Sequence, residues 1–254
     1  TMLYLIANSA VRHGWKWVLY SSENRTASVK MSLMQFAMDK KVADMTYLER
    51  RQAYKWVNEH FVVINNNQVY GYSDIILFVE KVMRQTPIDA IFVDPYNSLK
   101  LDLGQKGVSS HEYHYEAASE FLTFSKANNM AVWLNMHAVT EAQRRKGDDG
   151  LPIAPYAEDT EGGGKFVNRA DCFLTIHRKV QSMEPDIRRM SEIHVRKVRE
   201  VETGGRPTAL EDPYCLMMNL SHTGFTDRVG RRALYQPINF PEESTMPINM
   251  NFMS

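Results

Sequence analysis

Ile88-Asp89-Ala90-Ile91-Phe92-Val93-Asp94-Pro95 is an apolar run that ends on a carboxylate and a proline. Its apolar residues are nearly continuous rather than alternating, the pattern of a strand covered on both faces. Three more runs share this form. Trp17-Val18-Leu19-Tyr20 leads into Ser21-Ser22-Glu23-Asn24, Phe61-Val62-Val63-Ile64 stops at three asparagines, and Ala131-Val132-Trp133-Leu134 leads into Asn135-Met136-His137. Helical patterns over 2–13 (closed by Gly14), 27–39, 46–59, 73–85 and 110–128 fall around and between these strands. Strands that alternate with helices in this way predict an α/β fold with a parallel sheet between helical layers.

The order then changes. Cys172–His177, Ile193–Arg199 and Tyr214–Leu220 come one after another without long helices, which predicts antiparallel strands added at one edge. The reading is one domain over 1–235 and a tail over 236–254, where three prolines and several asparagines accumulate. Thr1 runs directly into the first helix without an initiator methionine, so the chain is read as a fragment or a processed piece of something longer.

Composition narrows the function classes. The 254 residues are 44% hydrophobic and 24% charged, which excludes a disordered chain. Thirty Lys+Arg against thirty Asp+Glu leave no net charge, so a histone-like binder is excluded and nucleic acid must be met by local basic patches. No apolar run reaches the ~18–20 residues of a membrane span. No secretory leader is visible, and Cys172 and Cys215 do not make a disulfide framework, so a cytoplasmic setting without membrane contact is expected.

Chemistry is expected at the polar tips of the strands. Asp94 has the position of a magnesium-holding carboxylate in phosphate-loop NTPases, although many α/β strands simply end in Asp. Glu23 ends a second strand and is the candidate to orient or deprotonate water; the alternative is a solvated strand end. His137 ends a third and is placed to sense a terminal phosphate, or to serve as a hydrogen-bonded structural histidine. Lys197 and Arg199 alternate on one strand and share a face, as a finger and its partner or as charges that blunt an edge. His111-x-x-His114 is read as helix surface rather than a metal pair. Two long loops lie at strand ends, Lys100 to Ser110 and Thr140 to Gly164, the second with Arg144-Arg145-Lys146 and Gly162-Gly163-Gly164-Lys165.

Taken in order, these motifs resemble the RecA-like motor domain of DnaB-type hexameric replicative helicases, including phage primase–helicases. Thr1-Met2-Leu3-Tyr4-Leu5 looks like the helix after the phosphate loop. Tyr20–Asn24 resembles the strand tip with the catalytic glutamate, and Ile91–Pro95 the Walker B strand. Leu134–His137 is similar to the switch motif. Glu158–Gly164 resembles the DNA-contacting loop, and Asn168–Asp171 the segment after it. Lys197-Val198-Arg199 and Thr203-Gly204-Gly205 match the finger and its turn. The resemblance runs from Thr1 to about Gly230 and departs in one respect, since the Gly-rich loop with its lysine would lie before Thr1.

The resemblance implies an ATP-dependent DNA helicase that translocates on single-stranded DNA as a homo-hexameric ring, with ATP and Mg2+ as cofactors and a primase or helicase loader as a further partner. Asp94, with Thr1, would hold magnesium. Thr1 would be either the loop's hydroxyl residue or the residue after it. Glu23 would orient water, His137 would couple phosphate to DNA, and Lys197 and Arg199 would bind nucleotide and act across a subunit boundary. Arg144, Arg145, Lys146, Gly162, Gly163, Gly164 and Lys165 would meet DNA. A RecA/RadA-like recombination or repair ATPase and a non-catalytic ring scaffold are the alternatives, and a chain without the phosphate loop is expected to be inactive alone.

Overall fold

A computed structural model describes residues 1–101, 109–160 and 163–231. The first helix, α1 (Met2–His13), ends where Gly14 adopts the left-handed conformation at φ 68°, which a glycine enters without steric cost. It leads into β1 (Trp17–Ser21), and α2 (Thr26–Met38), α3 (Tyr47–His60), β2 (Phe61–Val63), α4 (Tyr72–Met83) and β3 (Ala90–Asp94) come after it. Next come α5 (Ser110–Asn128), β4 (Ala131–Leu134) and the short helices α6 (Thr140–Arg144) and α7 (Gly164–Arg169). Two longer helices begin at capping boxes, α3 at Thr46 with Glu49 and α5 at Ser109 with Glu112; each box satisfies amide donors that a helix start leaves open.

The four strands form one parallel sheet in the order β2-β1-β3-β4. Every residue of β1 is buried, as its continuous apolar run predicts. Odd and even positions serve different layers. Trp17, Leu19, Phe61, Ala90 and Phe92 pack with residues of α1, α2 and α3, including Ile6, Leu33 and Trp56. Val18, Tyr20, Ile91 and Val93 pack on the other side with Ile75 and Val79 of α4 and Phe121 of α5. Fully burying a side chain such as Leu33 or Ile75 contributes roughly 1.5–3 kcal/mol. A surface pair such as Lys55–Glu59 contributes about 0–1 kcal/mol, so the two apolar layers hold the fold.

The expected antiparallel strands are present as β5 (Cys172–His177), β6 (Met190–Val198) and β7 (Tyr214–Met218), with a two-residue β8 (Phe225–Thr226) too short to read from sequence. They are not hydrogen-bonded to the edge of the parallel sheet. They form their own sheet in the order β5-β6-β7-β8, because β5 pairs with β6 on the one side and meets a cleft on the other. The helical layer joins the two sheets. Tyr4 of α1 is fully buried between Phe36 and Phe225, and its hydroxyl donates to the Phe225 carbonyl at 3.2 Å. Thr223 donates to the Asp39 carboxylate, just past α2, at 2.7 Å.

The expected loop over 140–164 is partly built. Beyond α6, residues 145–153 turn back as a hairpin in which Gly147 donates to the Leu151 carbonyl and Ile153 to that of Arg145. The tail over 236–254, residues 102–108 of the first long loop, and Gly162 lie outside the described residues.

Candidate functional site

Parallel pairing brings the ends of β1, β3 and β4 to one edge. Ser21 is in register with Asp94, and the Ser22 amide still donates to the Asp94 carbonyl at 3.0 Å. On the other side the Asn135 amide donates to the Val93 carbonyl, and the Tyr96 amide to that of Asn135. The ladder therefore carries Glu23, Asp94 and His137 to the same rim. The Glu23 carboxylate lies 3.6 Å from His137 Nε2, with the two side chains 55% and 53% exposed. A pair this open is reachable by ligand and solvent, unlike a buried structural histidine.

Asp94 is oriented by a residue to which the sequence reading gives no role. Asn135 donates its side-chain amide to Asp94 Oδ1 at 2.5 Å. The sequence does carry a signal, since Asn135 interrupts the otherwise apolar run Ala131–Met136. Asn135 thus fixes one carboxylate oxygen and sets the direction of the other. Magnesium takes one or two protein carboxylates and fills its shell with phosphate oxygens and water. Asp94 fits that demand, and no group of three or more His, Cys, Asp or Glu among the described residues could hold a metal unaided. The Thr1 hydroxyl is 2.9 Å from that of Ser191 on β6, so the start of α1 is tied to the second sheet close to this rim.

A cavity of about 800 Å3 opens between β4 and β5, and Thr1, Met2 and Leu3 line it together with Asp94. Consecutive residues of both strands, 131–134 and 172–176, face it. Strand side chains alternate between faces, so consecutive lining means that the backbone edges look into the cleft. Among the described residues, each strand is hydrogen-bonded to a neighbouring strand on its other side only.

Lys197 and Arg199 do lie on one side of their strand, as the period of two predicts, but in this chain they are docked. Lys197 Nζ donates to the Val167 carbonyl at 2.6 Å and to that of Asn168 at 3.3 Å. Burial first, and then the Arg199 guanidinium, lower the Lys197 ammonium below its usual range. Arg199 bonds Asp171 at 2.6 Å and the Asn168 and Arg169 carbonyls at 3.0 Å each. Both cations therefore cap the C-terminus of α7.

The basic cluster divides. Arg144 and Lys146 are exposed, and Arg144 has Glu141 beside it at 3.6 Å. Arg145 is not a free cation: it is ion-paired to Asp159, and its guanidinium lies 5.0 Å from the Tyr156 ring, which Arg196 also approaches at 5.2 Å. Arg196 also donates to the Pro155 carbonyl, and the His177 ring bonds that of Pro152, so residues 152–160 are fastened to the second sheet. Lys165 is half-buried on α7; Gly163 precedes that helix at φ 64°, a conformation that favours glycine, and Gly164 begins it.

α7 itself is fastened to the Asp94 rim. Phe166 is buried against Tyr96, ring centroids 4.7 Å apart and edge-on, and the Tyr96 hydroxyl is 2.9 Å from His114 Nδ1. His114 thus belongs to a packing cluster with Tyr96, two residues past Asp94, while the side chain of His111 lies outside the described residues. Burial raises the Tyr96 phenol above its usual range, so it stays protonated and can donate.

No family model matches the sequence. The chain is 24% identical over 202 residues to a Twinkle homolog protein, chloroplastic/mitochondrial, of Arabidopsis thaliana; the match takes in 75% of this chain and 27% of that protein. Among solved structures, an isolated ATPase domain aligns with 89% of this chain and 81% of its own, at TM-score 0.66 and 13% identity. A DnaB-like replicative helicase, solved for its interactions with primase, covers the same 89% at TM-score 0.65 and 13% identity, over 54% of that chain. A KaiC-like protein from Pyrococcus horikoshii OT3 has TM-score 0.54, with 13% identity over 87% of this chain and 79% of its own. By its fold the chain is a RecA-like motor domain of the kind found in DnaB-like replicative helicases.

Proposed function

We propose that the chain is the motor domain of an ATP-driven DNA helicase that works as a ring on single-stranded DNA. The observation that carries this reading is the convergence of Glu23, His137 and Asp94 on one sheet edge, with Lys197 and Arg199 displayed on the second sheet. Asp94, oriented by Asn135, would hold magnesium, which when bound draws negative charge from the phosphates. Glu23 would orient the attacking water and take its proton. His137, 3.6 Å away, would feel the change at Glu23 and pass it to the segment after β4.

The cleft between β4 and β5 supports the reading that an extended segment preceding Thr1 lies there. Paired on both sides, such a segment would join the two sheets into one. It would run out at the Asp94 rim and deliver a phosphate-binding turn to the start of α1, where helix amides favour anions. Nucleotide would then sit between Asp94 and the neighbouring subunit's Lys197 and Arg199 face.

Single-stranded DNA would run past Arg144, Lys146, Gly163, Gly164 and Lys165, with Gly162 in the same turn. Arg145 would act one step back by holding 156–159 through Asp159 and Tyr156. Removing Arg144, Lys146 or Lys165 is expected to weaken binding equally for all sequences. Each phosphate no longer neutralised should reduce the slope of log K against log salt by about 0.7 for single strands. Titration of a fluorescent oligonucleotide over a range of salt reads this directly, and unchanged slopes would remove these residues from the DNA path.

The function is tested on a forked duplex with the full-length protein. ATP-dependent displacement of one strand is expected, and it should stop with a non-hydrolysable nucleotide. DNA-stimulated hydrolysis without displacement would favour the recombination-type ATPase. No hydrolysis at all, with the phosphate-loop lysine present, would favour a scaffold.

A further inference from the structure

α7 has six residues, too few to stand as an isolated helix. It persists because both ends are held from outside. Phe166 anchors it to Tyr96, beside the Asp94 rim. Its last carbonyls, those of Val167, Asn168 and Arg169, have no helical amide to accept from, and they are filled by Lys197 and Arg199. The Arg199 guanidinium is fully engaged in this pose: Nη1 takes Asp171 and Nη2 takes backbone carbonyls. The Arg199 amide also donates to the Asp171 carbonyl at 2.7 Å, so the two residues are locked by backbone as well as side chain.

A guanidinium so engaged has no fork left for a phosphate. We propose that Asp171 is a positioning residue that holds Arg199 against the end of α7, and that release of this hold links DNA at α7 to the finger. The inference rests on the proposed role of Arg199 in a neighbouring site. Its physical content is a competition: one guanidinium cannot serve Asp171 with the α7 carbonyls and a phosphate at the same time. By reciprocity, whatever repositions α7 frees Arg199, and whatever draws Arg199 away uncaps α7. Lys165, on the first turn of α7, is where a nucleic-acid phosphate would apply its pull.

Arg199 and Asp171 are 37% and 60% exposed, so the hold is that of a surface ion pair aided by carbonyls, weak enough to be reversed in every cycle. Asp171→Asn keeps the shape and removes the charge. In the full-length protein it is expected to raise the DNA-free ATPase rate about three- to fivefold and to leave the DNA-saturated rate unchanged, so the stimulation ratio falls by that factor. Asp171→Glu, which restores the carboxylate, should recover at least half of the ratio. A second readout is independent of hydrolysis: the Ala170 amide, which closes α7 onto the Phe166 carbonyl, should exchange with solvent severalfold faster in Asp171→Asn and near the wild-type rate in Asp171→Glu.

The outcomes separate. If the wild type shows DNA-stimulated hydrolysis that Arg199→Ala abolishes, while Asp171→Asn leaves the DNA-free rate unchanged or lowers it, the positioning role is overturned and the helicase reading stands. If the wild type hydrolyses nothing, the helicase reading fails, and the positioning role fails with it whatever the Ala170 amide does. If both rates fall together in Asp171→Asn and Asp171→Glu does not rescue them, Asp171 is merely structural and the proposal is overturned.

Discussion

Arg199→Ala is expected to lower ATP turnover by about 10³- to 10⁵-fold in the full-length protein, the range in which arginine fingers act. Nucleotide affinity should stay within a few-fold of wild type, because a finger meets charge that develops on the way to the transition state rather than charge already present in bound ATP. Arg199→Lys should recover little, since an ammonium lacks the planar fork. The side chain leaves the end of β6 toward α7 and Asp171, so the site it would serve belongs to another subunit. Mixing Arg199→Ala subunits with Glu23→Gln subunits should therefore restore turnover at those boundaries where an intact finger meets an intact glutamate. A mixture that exchanges subunits yet stays inactive would show that Arg199 acts within its own chain.

Glu23→Gln is the second large effect. General-base assistance contributes about 10²- to 10⁴-fold, and turnover should fall by that amount. Glutamine keeps the length and can still bond His137, so nucleotide and DNA binding should be preserved and the ring should accumulate with ATP bound. Rapid-quench measurement of the first turnover separates this from slow product release: the burst itself should slow. A loss of less than tenfold would mean that another group orients the water. His137→Ala should act differently, with a smaller fall in the DNA-free rate and a larger fall in DNA stimulation, since His137 stands beside Glu23 rather than on the rim's metal side.

Much of the first sheet is legible because its strands are continuous apolar runs whose ends are marked by polar residues. The same marks make the convergence of Glu23, Asp94 and His137 legible, for a residue that closes a parallel strand must lie at the sheet's C-terminal edge. Pairing of the later strands is not legible. Whether β5 joins β4 or stands apart depends on contacts far along the chain, and nothing in Cys172–His177 encodes its neighbour. Asp171 is illegible for a similar reason, because its partner is 28 residues away on another element. Arg145 shows the limit of counting charges: three adjacent cations look alike in sequence, yet one is stacked on Tyr156 and paired with Asp159 while its neighbours face water. Asn135 is the opposite case, a polar residue out of place in an apolar run, readable once its neighbour Asp94 is known.

The cleft between β4 and β5 bears on how the polypeptide behaves in bulk. Edge strands invite pairing with foreign chains, and proteins usually blunt them with lysine, proline or a bulge. Ala131–Leu134 contains no charge and no proline, and Cys172–His177 contains no lysine and no proline, although its ladder with β6 shifts register between Phe173 and Leu174. What guards these two edges is chiefly that they face each other across one narrow space, held there by Tyr4 against Phe225 and by Asp39 against Thr223. A substitution that loosens this clasp can leave every helix intact and still turn the protein into an aggregating one, so solubility rather than helical content is the property most exposed to damage at that seam.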